Sequence, residues 1–153
     1  MRNVIRPAIN GDIPRIVEMS KHFHTEALLS SGLGYVADDI GEYTKMLLEN
    51  AITEVFVLEV DGVVQGTIAG IVAPFYLKKT DIILTEHWIW IETAYRGNGQ
   101  LGKLISTLIN WGKSLGANKL MLVSVGSLTE ERVKEYYVNK GFSYLETHFI
   151  RGI

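Results

Sequence analysis

The hydrophobic positions change their period twice along this chain. Ile13, Ile16, Val17, Ser20, His24, Ala27 and Leu28 recur at intervals of three and four, which predicts a helix with one mainly apolar face. Asn10 followed by Gly11-Asp12-Ile13-Pro14 marks its start, since Asn or Asp with a proline soon after suits a helix N-terminus. Ser30 to Gly34 break the pattern, and Ala37–Asn50 form a second helix with Ile40, Tyr43, Thr44, Leu47 and Leu48 on one side. The period then shortens. Thr53–Val60 reads as a strand, Asp61-Gly62 as a two-residue hairpin turn, and Val63–Val72 as the returning strand. Pro74–Thr80 reads as a loop, and Asp81–Glu92 as a long strand whose near-continuous apolar run predicts burial on both faces. Val4–Pro7 is a short edge strand ahead of all these.

Helical spacing returns after Gly97–Gly102, with Leu101, Leu104, Ile105, Leu108, Trp111 and Leu115 on one face and Gly116 as the stop. Lys119–Val125 is a further strand, Thr129 opens a last helix that ends at Gly141, and Phe142–Ile150 is the final strand. The order β-α-α-β-β-β-α-β-α-β describes an α/β protein with a mixed sheet: an antiparallel meander, then parallel crossovers. With 153 residues and no linker or repeat, one domain spanning 1–153 is expected.

Composition narrows the function classes. Apolar residues make up 47% and charged residues 21%, which suits a globular chain with a sizeable core. No apolar run reaches the roughly 18 residues of a membrane span, and the first seven residues offer no signal-peptide core, so a cytoplasmic protein without membrane contact is expected. The chain has no cysteine, which excludes disulfides and thiolate chemistry. Of the four histidines only His22 and His24 are close, and residues two apart do not share a helix face, so no metal site is expected. A net charge of −2 without a basic tract gives no support for nucleic-acid binding. Glycine is abundant, at 15 residues, and its placement matters more than its number.

Three of those glycines lie in Glu86-His-Trp-Ile-Trp-Ile-Glu-Thr-Ala-Tyr-Arg-Gly-Asn-Gly-Gln-Leu-Gly-Lys103, a buried strand running through a turn into a helix N-terminus. Helix N-termini expose unpaired N–H groups and attract phosphate, and glycine lets the backbone approach an anion closely. Gly97-x-Gly99-x-x-Gly102 has the letters of a dinucleotide fingerprint, but it follows about 95 residues of chain and no acidic residue stands some 20 positions on. A nucleotide-binding domain for NAD or ATP is therefore the weaker reading, and Gly-Lys-Ser/Thr never occurs.

Arg96-Gly97-Asn98-Gly99 resembles the acyl-CoA motif of the GNAT N-acetyltransferase superfamily, Gln/Arg-x-x-Gly-x-Gly/Ala, with Leu101 where the family has its second Gly or Ala. Tyr137-Val-Asn-Lys-Gly141-Phe142 resembles the family's closing signature, and Ile5-Arg6-Pro7-Ala8 with Asp12-Ile13-Pro14 its opening. The pattern is similar to small acetyltransferases of phages and bacteria. The resemblance implies acetyl-CoA as co-substrate and a primary amine, on a small molecule or a peptide, as acceptor. It implies a cleft where the strands ending near Ile91 and Ser124 splay apart, with the backbone of Trp90 and Ile91 pairing with pantetheine. The backbone of Arg96, Gly97, Asn98, Gly99, Gln100, Leu101 and Gly102 would hold the pyrophosphate. Lys103 is the nearest side chain for a phosphate, with Lys113 further along the helix. Tyr137 matches the donor to the leaving thiolate, with Tyr136 as its neighbour. Glu86 stands where several members place a carboxylate that acts as base or positions a water, with His87 on the opposite face and Glu92 further on as alternatives. Phe23, His24, Tyr35, Phe75 and Tyr76 are the aromatic candidates for the acceptor side, and Thr129 for pantetheine. Family members are often homodimers. A catalytically silent module that binds acyl-CoA is the alternative from a different class.

Overall fold

The computed structural model describes residues 2–125 and 130–153, the Glu130 side chain excepted. The elements in chain order are β1 (Asn3–Pro7), α1 (Ile13–Phe23), α2 (Ala37–Glu49), β2 (Thr53–Val60), β3 (Val63–Phe75), β4 (Lys78–Ile91), α3 (Gln100–Ser114), β5 (Lys119–Met121) and α4 (Glu130–Asn139). They form one mixed α/β unit around a five-stranded sheet of order β1-β2-β3-β4-β5. The first four strands pair antiparallel and β4 pairs parallel with β5. Among the described residues no helix is long and apolar enough to cross a membrane.

Alternation along the strands feeds two apolar layers. Val55 and Val57 of β2 face Ile16 and Met19 of α1 and Leu47 of α2. Phe56 and Leu58 face Leu104, Ile105 and Leu108 of α3 and Tyr137 of α4. The sheet is thus covered on both sides, and β2 and β3 carry most of the double burial. Asp12 shapes the start of α1: its carboxylate accepts the Ile9 N–H at 2.8 Å and is gripped by Arg6 at 2.7 and 3.0 Å. The Arg6 guanidinium holds the Asp12 carboxyl below its ordinary range. The β2–β3 turn places Asp61 and Gly62 at φ 49° and 85°, as a two-residue hairpin turn with both φ positive requires.

Four expectations from the sequence need correction. The helix expected to reach Leu28 leaves regular α winding after Phe23 and continues as a wider π turn, His24–Leu28, and a 3₁₀ turn, Leu29–Ser31. No residue in these turns is buried, so packing does not enforce regular winding there. The loop expected at Pro74–Thr80 is a hairpin tip of two residues, Tyr76 and Leu77. Pro74 is tolerated inside β3 because the register shifts beside it, between Pro74 and Phe75. The strand expected at Lys119–Val125 stops at Met121, for a reason that belongs to the cleft. The final strand expected at Phe142–Ile150 is absent. Phe142 folds back on α4, with its ring 5.6 Å from that of Tyr137, while Tyr144, Leu145, Phe149 and Ile150 are exposed. Strand-forming side chains need a neighbouring edge to pair with, and β5 is only three residues long. The expected opening of the last helix at Thr129 lies outside the described residues.

Close packing of α3 on the sheet depends on missing side chains. A Cβ at Gly112 would lie 2.6 Å from Leu84 Cδ2 and 3.2 Å from its Cγ, and one at Gly70 would lie 3.1 Å from Leu108 Cδ1. Gly112→Ala is expected to push α3 off β4 and lower the unfolding free energy by about 1–3 kcal/mol, the usual cost of overpacking. A urea midpoint equal to that of the unaltered protein would contradict this account of the α3–β4 contact.

Candidate active site

One extra residue in β4 creates the site. Gly70 of β3 pairs with Glu86 and the adjacent Ala69 pairs with Trp88, so His87 has no partner and forms a bulge. The side-chain alternation shifts there. Ile82 and Leu84 pack toward α3, and beyond the bulge Ile89 and Ile91 do so, while Trp88 and Trp90 join the α1–α2 layer. The ladder to β5 ends at the same place, with Thr85 opposite Met121 as the last pair. Past that point the two chains diverge. The gap is a cleft of about 1200 Å³ between Glu86–Ile91 and Val123–Val125. Tyr136 and Tyr137 of α4 and Lys140 just past it border it, as do Phe23 at the end of α1 and Glu26 and Ala27 beyond it.

One end of the cleft is the start of α3. Gly97, Asn98 and Gly99 have φ of 92°, 50° and 74°, three left-handed residues in succession, which two glycines make inexpensive. The Gln100 N–H bonds the Gly97 carbonyl and the Lys103 N–H that of Gly99. Among the described residues, the N–H groups of Leu101 and Gly102 have no backbone partner, as expected for a first helical turn. The Leu101 side chain packs against the core, so it leaves that backbone open. A Cβ at Gly102 would lie 2.9 Å from the Tyr136 hydroxyl, so glycine lets α4 close over the turn. These features suit an anion, and Lys103 borders the same end.

At the point of divergence stands Glu86, 5% exposed. Its Oε2 accepts the Val123 N–H at 3.1 Å, and the Val123 carbonyl accepts the Tyr137 hydroxyl at 3.2 Å. One residue of the opposite wall therefore holds both side chains. Burial pushes the Glu86 carboxyl up to about 7, which the Val123 N–H offsets only in part. Burial raises the Tyr137 phenol as well, helped by the nearby Glu86 charge. Ser124 Oγ, buried on the same wall, has no hydrogen-bond partner among the described residues.

Most of the residues selected from the sequence come together here. Glu86, Trp90, Ile91, Arg96, Gly97, Gly99, Leu101, Gly102, Lys103 and Tyr137 all border the one cleft. Asn98 and Gln100 lie on the turn but do not border the cleft, and the Gln100 N–H is already paired. The Ile91 carbonyl, expected to face pantetheine, accepts Arg96 Nε at 2.9 Å. His87 also borders the cleft, but turns its ring edge-on to Tyr43 of α2, on the face opposite Glu86, and burial lowers its pKa. Glu92 is taken up by Arg15 at 2.8 Å and His22 at 2.9 Å, away from the cleft. Of the acceptor-side aromatics only Phe23 borders the cleft, edge-on to Trp90. His24 and Tyr35 face each other at 5.8 Å, and Phe75 and Tyr76 sit at the far hairpin tip. Sequence reasoning missed Glu26 and Val123. A glutamate on a polar helix stretch carries no signal, and Val123 acts through its backbone alone.

A sequence model described as the acetyltransferase (GNAT) family matches residues 15–142. No curated protein sequence matches the chain. Among solved structures, a predicted acetyltransferase from Clostridium acetobutylicum with acetyl-CoA is 22% identical, with a TM-score of 0.75 over 99% of this chain and 96% of that one. The aminoglycoside N-acetyltransferase AAC(6')-Iy in complex with CoA is 16% identical, with a TM-score of 0.80 over 99% and 95%. A protein from Bacillus halodurans described as a transcriptional regulator is 20% identical, with a TM-score of 0.75 over 97% and 100%. At these identities the structural likenesses establish the fold alone.

The buried carboxyl has a consequence for stability. With a pKa near 7 in the folded protein against an ordinary 4.5, Glu86 binds its proton more tightly folded than unfolded. Stability from this group is fully present below the unfolded value and is lost as pH rises through the folded one, about 3 kcal/mol in all. Glu86→Gln is therefore expected to raise the melting temperature by about 10 °C at pH 8.5 and change it little at pH 5. Equal effects at the two pH values would show that Glu86 is not held in a charge-excluding site.

Proposed function

The chain belongs to the GNAT acetyltransferase family, and we propose that it moves the acetyl group of acetyl-CoA to a primary amine by direct attack on the thioester. The observation that carries this reading is Glu86, buried where the two walls diverge with no cation beside it among the described residues, and with Tyr137 held against the same backbone residue. Wells of this kind, lined by an unpaired strand edge and closed by a helix N-terminus, fit an extended thiol arm with a pyrophosphate at one end. Leu101 and Gly102 N–H would meet the pyrophosphate. The β4 edge and Ser124 Oγ would meet the arm.

The chemistry follows from those two side chains. A neutral amine attacks the carbonyl carbon, the C–N bond forms and the C–S bond breaks. Glu86, with a pKa near the working pH, takes the amine proton directly or through a water. Tyr137 stays protonated across the neutral range because its phenol is raised, and it gives its proton to the leaving thiolate. Its hydroxyl donates to Val123 at rest and turns to reach the sulfur. Net products are the acetylamide and CoA thiol. Structural neighbours described as aminoglycoside acetyltransferases support a small-molecule amine as acceptor.

Because the protein contains no cysteine, a thiol reagent reads released CoA without background. Calorimetry with acetyl-CoA, CoA, NAD and ATP, followed by thiol release with an aminoglycoside, a polyamine, an amino acid and a peptide N-terminus, tests the reading. Acetyl-CoA is expected to bind and NAD and ATP not to. Absence of acetyl-CoA binding at about 1 mM, the upper range of enzyme affinities, would sink the proposal. With a working acceptor, kcat/KM is expected to rise through pH about 7, and Glu86→Gln to abolish that limb. Tyr137→Phe is expected to lower kcat by about 100-fold or more and leave CoA affinity within about twofold. Full turnover by Tyr137→Phe would exclude the phenol as the acid.

A further inference from the structure

Arg96 belongs to the glycine turn by sequence, yet its guanidinium is engaged across the cleft. Its Nη1 and Nη2 each donate to a separate Glu26 oxygen at 2.9 Å, its Nε donates to the Ile91 carbonyl at 2.9 Å, and its Cζ lies over the Trp90 ring, 4.5 Å from the centroid. A two-pronged pair of this kind is directional and stronger than an ordinary surface ion pair. Both partners are about 30% exposed. Glu26 sits in the π turn His24–Leu28, a segment with no buried residue. Such segments have little stability of their own. The pair therefore joins two parts of the cleft rim that are 70 residues apart: the anion-binding turn and the wall beside α1. It also neutralises Arg96, which leaves the turn to bind an anion mainly through its backbone.

Resting on the acetyl-CoA reading above, we infer that Glu26 is a positioning residue that transmits ordering of the 96–102 turn to the acceptor-side wall at 24–28. When the pyrophosphate fixes the turn, Arg96 is fixed with it, and the fork carries that constraint to Glu26. The wall against which an amine docks is then set after CoA has bound. The fork is a physical link between the two segments. Their thermodynamic coupling is what has to be measured.

Amide hydrogen exchange with and without CoA measures it in the full-length protein, needing no acceptor. In the unaltered protein CoA is expected to slow exchange at 96–102 and at 24–28. If CoA does not bind, or slows neither segment, the acetyl-CoA reading fails. If it slows 96–102 alone, the link fails and that reading stands. In Glu26→Gln, CoA is expected to protect 96–102 and no longer 24–28, while its affinity is unchanged or up to about threefold tighter, since Arg96 then faces the anion uncompensated. A purely structural role would instead weaken CoA binding and lower the melting temperature together. Arg96→Lys keeps the charge and removes the fork, and is expected to lose the same protection at 24–28. Retained protection there in either folded variant would overturn the inference.

Discussion

The unpaired residue at His87 is the constraint from which the rest of the site follows. A strand that kept its register through that point would carry its ladder to β5 onward, and the sheet would be continuous. Instead the extra residue shifts the alternation and the pairing ends at Thr85–Met121. This leaves the edge of β4 beyond Thr85 facing an open cleft with no strand opposite it. An exposed strand edge of this kind can pair with a ligand that has an extended, hydrogen-bonding body. The shift also decides which side chains meet the gap. It sends Trp88 and Trp90 into the α1–α2 layer and keeps Glu86 on the α3 side at the apex.

The same interruption explains how a carboxylate survives inside the core. Among the described residues Glu86 has one hydrogen bond, from Val123, and that N–H is available because the ladder to β4 stops at Met121. One bond is too little to hold a full charge, so the carboxyl titrates near neutrality. The Val123 carbonyl meanwhile holds the Tyr137 hydroxyl. Two groups whose environments suit opposite proton tasks are therefore positioned by one short stretch of backbone. Its conformation in turn depends on the bulge across the cleft.

Much of this was legible in the sequence. The hairpin at Asp61-Gly62, the apolar faces of α1, α2 and α3, and the glycine turn before α3 all rest on local pattern, and local pattern holds where propensity and packing agree. The turn and Tyr137 could be named because their motifs are short and contiguous. What was not legible is of a different kind. The bulge at His87 depends on register against β3, which no local pattern encodes. The stretch Phe142–Ile150 has strand-forming residues but no partner edge. Glu26 and Arg96 are 70 residues apart, and neither announces the other. Pro74 marked an expected loop, whereas the register shift beside it keeps it within β3.

The charge balance takes on a definite meaning in this light. A chain with a net charge of −2 is a poor electrostatic lure for a polyanion. At the turn the nearest arginine is neutralised by Glu26, and the N–H groups of Leu101 and Gly102, without a backbone partner among the described residues, remain. Backbone donors are fixed in direction and carry no counter-charge to be shed, so they recognise an anion by shape and position rather than by attraction at a distance. Glycine at 97 and 99 makes that backbone path accessible, and glycine at 102 lets α4 lie over it. Anion binding built this way would depend less on ionic strength than binding by a basic patch.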